Sequence, residues 1–345
     1  MKLKLFLFIL PVLFVGVSVF AQKVVALHSP TNGVQYFTDD NPLQSAYAAA
    51  EVVGDTIYLP GGSMTPPAKF EKSIVIYGAG HYPNATDATF KTILSGNITL
   101  SDEADGLHLE GVKFMALVFD TNETVNNVTI KRCSFDNISI YGDRTNPAEN
   151  NTFIENVING GAWMENLINS TFANNIIKGG INQARNMVFL NNLFLYSVPS
   201  NNGYQVIGYA NNSMFKNNIF LQENNNICEG SGASTWSHNI FCTSTTSPAL
   251  GLDPILIDNY FMSRVDVLIN QTGGVFDYAH DYHLTAVALL NLGDDGLQVG
   301  VYGGFYEWKD SSIPVNPHIS SKIISQTSDA SGMIQVNINV HAQDR

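Results

Sequence analysis

Cleaving a uronic-acid polymer by elimination needs an Arg or Lys to take the proton. It also needs carboxylates that can hold Ca²⁺ against the substrate's own charge. The cations available in the middle of this chain are Lys131, Arg132, Arg144, Lys178, Arg185 and Lys216, with Asp136 and Asp143 as neighbouring acids. Arg144, Arg185 and Asp143 are the candidates carried forward, although nothing in their spacing separates them from ordinary solvated charges. Hydrolysis of a glycoside would instead need two carboxylates facing one bond. Asp39-Asp40 and Asp294-Asp295 are the adjacent pairs, and Asp294-Asp295-Gly296 has the composition of a turn. No G-x-S-x-G nucleophile elbow is present. His280 and His283 lack the i, i+4 spacing of a helical metal pair, so the cluster Tyr278, His280, Asp281, Tyr282 and His283 is assigned a structural role. Stacking against sugar rings is open to Tyr141, Trp163, Tyr196, Tyr204 and Tyr209, which fall in or beside turn sequences.

The chain around these groups carries little charge. Only 14% of its 345 residues are Asp, Glu, Lys or Arg, so the abundant Asn and Gly must supply turns and backbone partners instead. A formal net charge of −13 with no basic stripe excludes nucleic acid as a partner. The three cysteines, Cys133, Cys228 and Cys242, form no C-x-x-C zinc spacing. Cys228 and Cys242 are either a bridge between neighbouring coils or, the favoured reading, small buried hydrophobes. No cofactor motif is visible; Ca²⁺ is the one ion the lyase chemistry would call for.

Internal repetition organises the middle of the sequence. Phe153-Ile154-Glu155-Asn156-Val157 is followed by Phe172-Ala173-Asn174-Asn175-Ile176, Phe189-Leu190-Asn191-Asn192-Leu193, Phe215-Lys216-Asn217-Asn218-Ile219 and Trp236-Ser237-His238-Asn239-Ile240. An aromatic residue precedes Asn by three positions, and an aliphatic one follows at once. Phe135-Asp136-Asn137-Ile138 is a variant one residue shorter. Strand residues alternate faces, so both apolar residues point inward only if the chain bends between them. Asn tolerates positive φ, which assigns the bend to Asn156, Asn175, Asn192, Asn218 and Asn239. Stacked once per coil, those amides are expected to hydrogen-bond along an axis as a ladder. The coils vary in length around 20 residues, and neither the leucine-rich pattern nor a strict hexapeptide repeat occurs. The expectation is an all-β chain, a right-handed parallel β-helix in which each coil buries its core against the next.

The flanks complete that expectation. Asn41-Pro42-Leu43 starts a capping helix, with Leu43, Ala46, Tyr47 and Ala50 on one face. Gly54-Asp55-Thr56-Ile57-Tyr58-Leu59-Pro60-Gly61-Gly62 and Ile74-Val75-Ile76-Tyr77-Gly78-Ala79-Gly80 supply the first strands and turns. This opening resembles the first coils of the pectate-lyase-like superfamily. The ending, Asp281-Tyr282-His283-Leu284 and then Gly293 to Gly304, looks like the closing coil of secreted bacterial β-helix proteins, with Ala286 to Leu290 departing from their usual sequence. The resemblance spans residues 22–310 and implies architecture rather than a reaction. The superfamily's polygalacturonases carry G-H-G and R-I-K motifs, and both are missing here.

Met1-Lys2-Leu3-Lys4 and the apolar run from Leu5 to Phe20, with small residues before a cut after Ala21, form a secretory signal peptide. The domain plan is therefore a signal peptide at 1–21, an N-terminal cap at 22–55, the β-helix at 56–305, and a linker with a C-terminal tail at 306–345. Ile313 to Pro317 is the linker, and Gly332 to His341 a final strand. The mature chain is expected to be a monomer outside the cytoplasm, without a membrane span. Its expected role is to contact polysaccharide with no identifiable catalytic apparatus. The alternatives are a lyase or glycoside hydrolase acting on uronic-acid polymers, and a purely structural surface protein or adhesin.

Overall fold

Each repeat closes into a coil of three short strands, and about nine coils stack into a parallel β-helix. The computed structural model describes residues 23–51, 53–142, 144–195, 205–271, 274–285 and 291–342. The expected signal peptide, Asp143, Tyr196, Tyr204 and residues 286–290 lie outside them. The first sheet has twelve strands, from the N-terminal cap to Ile255–Ile257. The second has seven, from Ser134–Phe135 to Tyr260–Phe261, and the third eight, from Ile98–Leu100 to Ala249–Leu252.

Register in the first sheet places Phe153, Phe172, Phe189, Phe215 and Trp236 opposite one another in successive coils. All five are fully buried. Their rings stack in file, with centroids 4.3, 5.2, 4.7 and 4.1 Å apart in that order. The offset contact that aromatic pairs prefer is thereby repeated along the core.

The bend after this file is not made by the inner Asn. Positive φ falls one residue earlier, at Arg132 (50°), Glu155 (54°), Asn174 (54°), Asn191 (53°), Asn217 (58°), His238 (54°) and Asp258 (44°). The left-handed residue turns the chain, and the next residue then points into the coil. Division of labour between the two positions explains why many repeats read Asn-Asn. The second Asn is the ladder. Asn156 donates from its backbone N–H and its amide to Asn175 Oδ1, at 2.9 and 3.0 Å. Asn175 does the same to Asn192, Asn192 to Asn218, and Asn218 to Asn239. The ladder runs one rung further, to Asn259, and at its other end the Cys133 N–H donates to Asn156 Oδ1. Phe135-Asp136-Asn137 is therefore no rung. Phe135 belongs to the second sheet, Asn137 is exposed on the third, and Cys133 takes the ladder position of that coil.

Two devices close the bottom of the stack. The helix Pro42–Ala49 buries Leu43, Ala46 and Tyr47, as its sequence face requires. Asn41 occupies its N-cap position, but its side chain makes no capping hydrogen bond. The second device is a hairpin, Val25–Ser29 with Gly33–Phe37, whose first strand pairs antiparallel with Thr56–Tyr58.

The C-terminal fifth departs from the closing-coil expectation. Stacked coils end at Phe261, and Asp281–Leu284 pairs antiparallel with Leu268–Asn270 instead of adding a coil. Val267, Tyr282, Leu284, Val299, Val301 and Trp308 pack on the outward residues Val157, Ile176, Leu193, Ile219 and Ile240 of the second sheet. Strands there read as doublets such as Ile176-Ile177 because both faces are covered. From Asp294 the chain runs back down the outside as a strap along the left-handed column. Asp294 meets Asn217, Gln298 meets Asn191, the carbonyls of Val301 and Gly303 accept from Asn174, and the Lys309 N–H donates to Glu155. The expected linker is part of this strap: Ile313 is buried and its carbonyl accepts from Arg132. Gly111 has to be glycine, since a Cβ there would lie 2.0 Å from Pro314 Cγ. The final strand, Val336–His341, pairs antiparallel with His318–Ile324 as an exposed hairpin.

His81 sits completely buried below the strap, its Nδ1 3.2 Å from the Tyr278 hydroxyl. Burial, aided by the charges of Lys113 and Lys91, takes its pKa down to about 3 from 6.5. Below pH 6.5 the unfolded chain therefore takes up a proton that the folded chain refuses. Stability present above that pH should fall by up to about 1.4 kcal/mol per pH unit as pH drops toward 3. Urea unfolding at pH 7, 5.5 and 4.5 checks this beside His81→Gln, in which the decline over this interval should flatten. An identical decline in both proteins would assign it to other groups.

Candidate functional site

The structure brings two of the nominated residues together. Arg144 Nη2 lies 3.0 Å from Glu165 Oε1 and 3.0 Å from Gln183 Oε1, and Arg185 Nη2 donates to the Glu165 carbonyl at 2.9 Å. Burial lowers the Arg185 pKa, and the nearby Arg144 charge lowers it further. Both guanidiniums are engaged with Glu165, and neither lines either of the two surfaces described next. Lys216 is paired with Asp294 of the strap. The three cysteines are free and buried, and burial pushes the Cys133 and Cys242 thiols up to about 12. Asp281 holds His283 at 2.7 Å, and the His283 ring stacks on Tyr302 at 3.8 Å. Tyr282 reaches back to the Asp277 backbone, so this cluster ties the C-terminal cover together.

Two of the concave surfaces bear most directly on function. The first is a groove of about 490 Å³ on the outer face of the third sheet. Register there lines up Val118, Ser139, Trp163, Asn182 and Gly208 in successive coils. Trp163 is 39% exposed and Tyr141 47%, with ring centroids 6.3 Å apart and planes tilted by 31°. Asn137, Ser139 and Asn182 supply polar groups between and beside the rings, and no charged side chain lines the groove among the described residues. Arg144 follows Tyr141 by three residues and Glu165 follows Trp163 by two, and Arg144 reaches Gln183, the neighbour of Asn182. They form a charged rim to a neutral floor.

The second surface is a cavity of about 620 Å³ between the first sheet and the strap. Its base is an ionic network. Arg132, only 1% exposed, donates through Nε and Nη2 to Glu155 at 2.9 and 3.3 Å. Its Nη1 reaches Glu110 Oε1 at 3.3 Å and the Ile313 carbonyl at 3.1 Å. The strap returns two donors: Lys309 N–H to Glu155 and Val315 N–H to Glu110, both at 3.3 Å. His108 Nε2 lies 3.0 Å from the other Glu110 oxygen. Burial opposes ionisation of Glu110, but His108, Lys131 and Arg132 outweigh it and hold the carboxyl below the ordinary carboxylate range. Lys131 lies 3.8 Å from Glu155, and burial together with the Arg132 charge lowers its pKa. Tyr77, Phe305 and Tyr306 contribute aromatic walls.

No family model, curated protein or solved structure matches the chain. What the molecule does has to be argued from these two surfaces.

Sequence reasoning named Lys131, Arg132, Tyr141 and Trp163 but could not rank them. Trp163 and Tyr141 share the third-sheet face only because successive coils place them there. The strap pocket was missed as a unit: Glu110 and Glu155 were unremarked acids, and residues 304–309 were assigned to a coil end and tail. A signal did exist. Glu155 and Arg132 stand at the left-handed position where most other repeats have Asn, so their side chains were retained where backbone geometry alone favours Asn. No helix among the described residues is long and apolar enough to cross a membrane.

Proposed function

We propose that the chain is a secreted or cell-surface β-helix protein, related to the pectate-lyase-like superfamily, that binds polysaccharide along the outer face of its third sheet. One observation carries the reading. Trp163 and Tyr141 keep large ring areas in solvent within a groove whose polar groups are Asn amides and a Ser hydroxyl. A pyranose offers such a surface an apolar face to stack and hydroxyls to hydrogen-bond. The parallel sheet repeats the surface every coil, which suits a polymer better than a single sugar. Among the described residues the floor carries no charge and no acid–base pair, so the favoured glycan is neutral rather than uronic. Export through the signal peptide at residues 1–21 and a monomeric state belong to the same proposal.

Pull-down on insoluble neutral glucan and xylan tests it, with pectin and alginate gels alongside. The wild type should be retained on a neutral polymer, and Trp163→Ala should weaken retention roughly tenfold, about 1.4 kcal/mol. Failure of the wild type to bind any polymer, or equal binding by Trp163→Ala, would remove the basis for the reading.

A further inference from the structure

The strap pocket lies apart from the third-sheet groove and contains most of the interacting ionisable groups found in either surface. Its two buried carboxylates are already committed. Glu155 accepts from Arg132 through both oxygens and from the Lys309 N–H, while Glu110 accepts from Arg132, His108 and the Val315 N–H. Lys131 differs. Its side chain is about one-fifth exposed, and its nearest carboxylate oxygen is 3.8 Å away, outside hydrogen-bond reach. Among the described residues no hydrogen-bond acceptor comes within bonding distance of it. An ammonium has three N–H donors, so one that its neighbours leave unbonded beside a cavity can donate to a bound acceptor. Burial lowers its pKa. The cavity beside it, about 620 Å³, falls within the range of small-molecule sites, and Tyr77 and Tyr306 stand as ring walls. His108 and Lys309 also line it, while Glu110 and Glu155 face it with their oxygens already engaged. Glu307 is the one further acid in the lining.

We propose that this pocket is a second binding site, for a monosaccharide-sized ring compound bearing one oxyanion group, with Lys131 as the ammonium anchor and Tyr77 and Tyr306 as the walls. A sugar carboxylate and a sugar phosphate share that chemistry. The inference is independent of the polysaccharide reading, because no residue is common to the two surfaces.

Isothermal titration at pH 7 with glucuronate, glucose 6-phosphate, glucose and inorganic phosphate tests it on the whole protein. At least one anionic sugar should bind, at least tenfold tighter than both glucose and inorganic phosphate; which one binds identifies the source. Lys131→Met should weaken that binding tenfold or more with its melting temperature kept, while Trp163→Ala leaves it unchanged. Should Lys131→Met fail to fold, acylation of Lys131 in the wild type by an amine-reactive ester, followed by mass spectrometry, replaces it. The bound sugar should then slow labelling at Lys131. Binding of neither anionic sugar overturns the site. So does glucose or free phosphate binding as tightly, undiminished affinity in Lys131→Met, or unprotected Lys131.

Discussion

Arg132→Met is expected to cost about 3–5 kcal/mol at pH 7, more than removal of any surface ion pair in the molecule. Among the described residues its guanidinium is the only group that joins Glu110, Glu155 and the strap carbonyl of Ile313. Methionine keeps much of the volume and meets the same left-handed backbone, φ 50°, so neither a cavity nor new backbone strain dominates the change. What remains is two carboxylates at 1–2% exposure without their main counter-charge. The pH dependence separates this account from simple loss of packing. In the wild type Glu110 is held below its ordinary 4.5, so its contribution is present above that value and fades as pH falls through the folded value. Without Arg132 the folded-state Glu110 carboxyl loses one of the charges that hold it down and moves upward instead. The variant is then penalised at neutral pH and recovers as Glu110 protonates toward pH 5. The gap between the two proteins should narrow by 1 kcal/mol or more between pH 7 and pH 5, measured by denaturant unfolding at each pH. A gap that does not change with pH would mean the loss is one of shape. Hydrogen exchange gives a second reading. The Val315 N–H, which donates to Glu110, should exchange faster in the variant while the Asn175 N–H inside the ladder does not.

How much was legible depended on whether a residue answers to its own coil or to a distant segment. Phe153 and Phe172 are set by a local rule: one inward aromatic per coil, repeated, shows in the sequence as a period. The ladder Asn residues obey the same rule. Asn259 followed it too, in Ile257-Asp258-Asn259-Tyr260, but without an aromatic three residues before it the rung was passed over. Glu155 answers to something else. It stands one residue before a ladder Asn, yet its partners are Arg132, 23 residues back, and Lys309, 154 residues on. No periodicity reports such a pairing. The strap illustrates the same limit, because Gly300, Gly303 and Gly304 have the composition of coil turns whether they close a coil or lie against one. The N-terminal hairpin was legible and missed. Pro30-Thr31-Asn32 between Val25–Ser29 and Gly33–Phe37, with Gly33 next, is a turn signal. The aromatic groove is intermediate: each ring was visible as a residue near a turn, but coil register decides which rings share a face.

Asn192→Leu is expected to lose about 4 kcal/mol, whereas Asn259→Leu, the same change at the last rung, should lose about 1 kcal/mol or less. Asn192 is fully buried and its amide is used on both sides. Its Oδ1 accepts from the Asn175 N–H and amide, both at 2.9 Å, and its Nδ2 donates to the Phe172 carbonyl at 2.8 Å and to Asn218 Oδ1 at 3.0 Å. Leucine matches the volume closely, so the loss comes from stranded partners. The Asn175 N–H and the Phe172 C=O are left buried with nothing to replace the amide, at roughly 1–3 kcal/mol each. Asn259 makes the same bonds on one side only, to Asn239 and to the Trp236 carbonyl, and it is partly exposed. Water can take over there. Asn192→Asp refines the test. The carboxylate keeps an acceptor for Asn175 but sets a buried charge against the Phe172 carbonyl and Asn218 Oδ1, so its folded pKa must rise. Stability then returns as pH falls, because the protonated acid can donate once where the amide did. Thermal or urea unfolding of the three variants at pH 7 and pH 5 decides the matter. Equal losses at Asn192 and Asn259 would show that the ladder's energy lies in packing of the coils rather than in the satisfied amides.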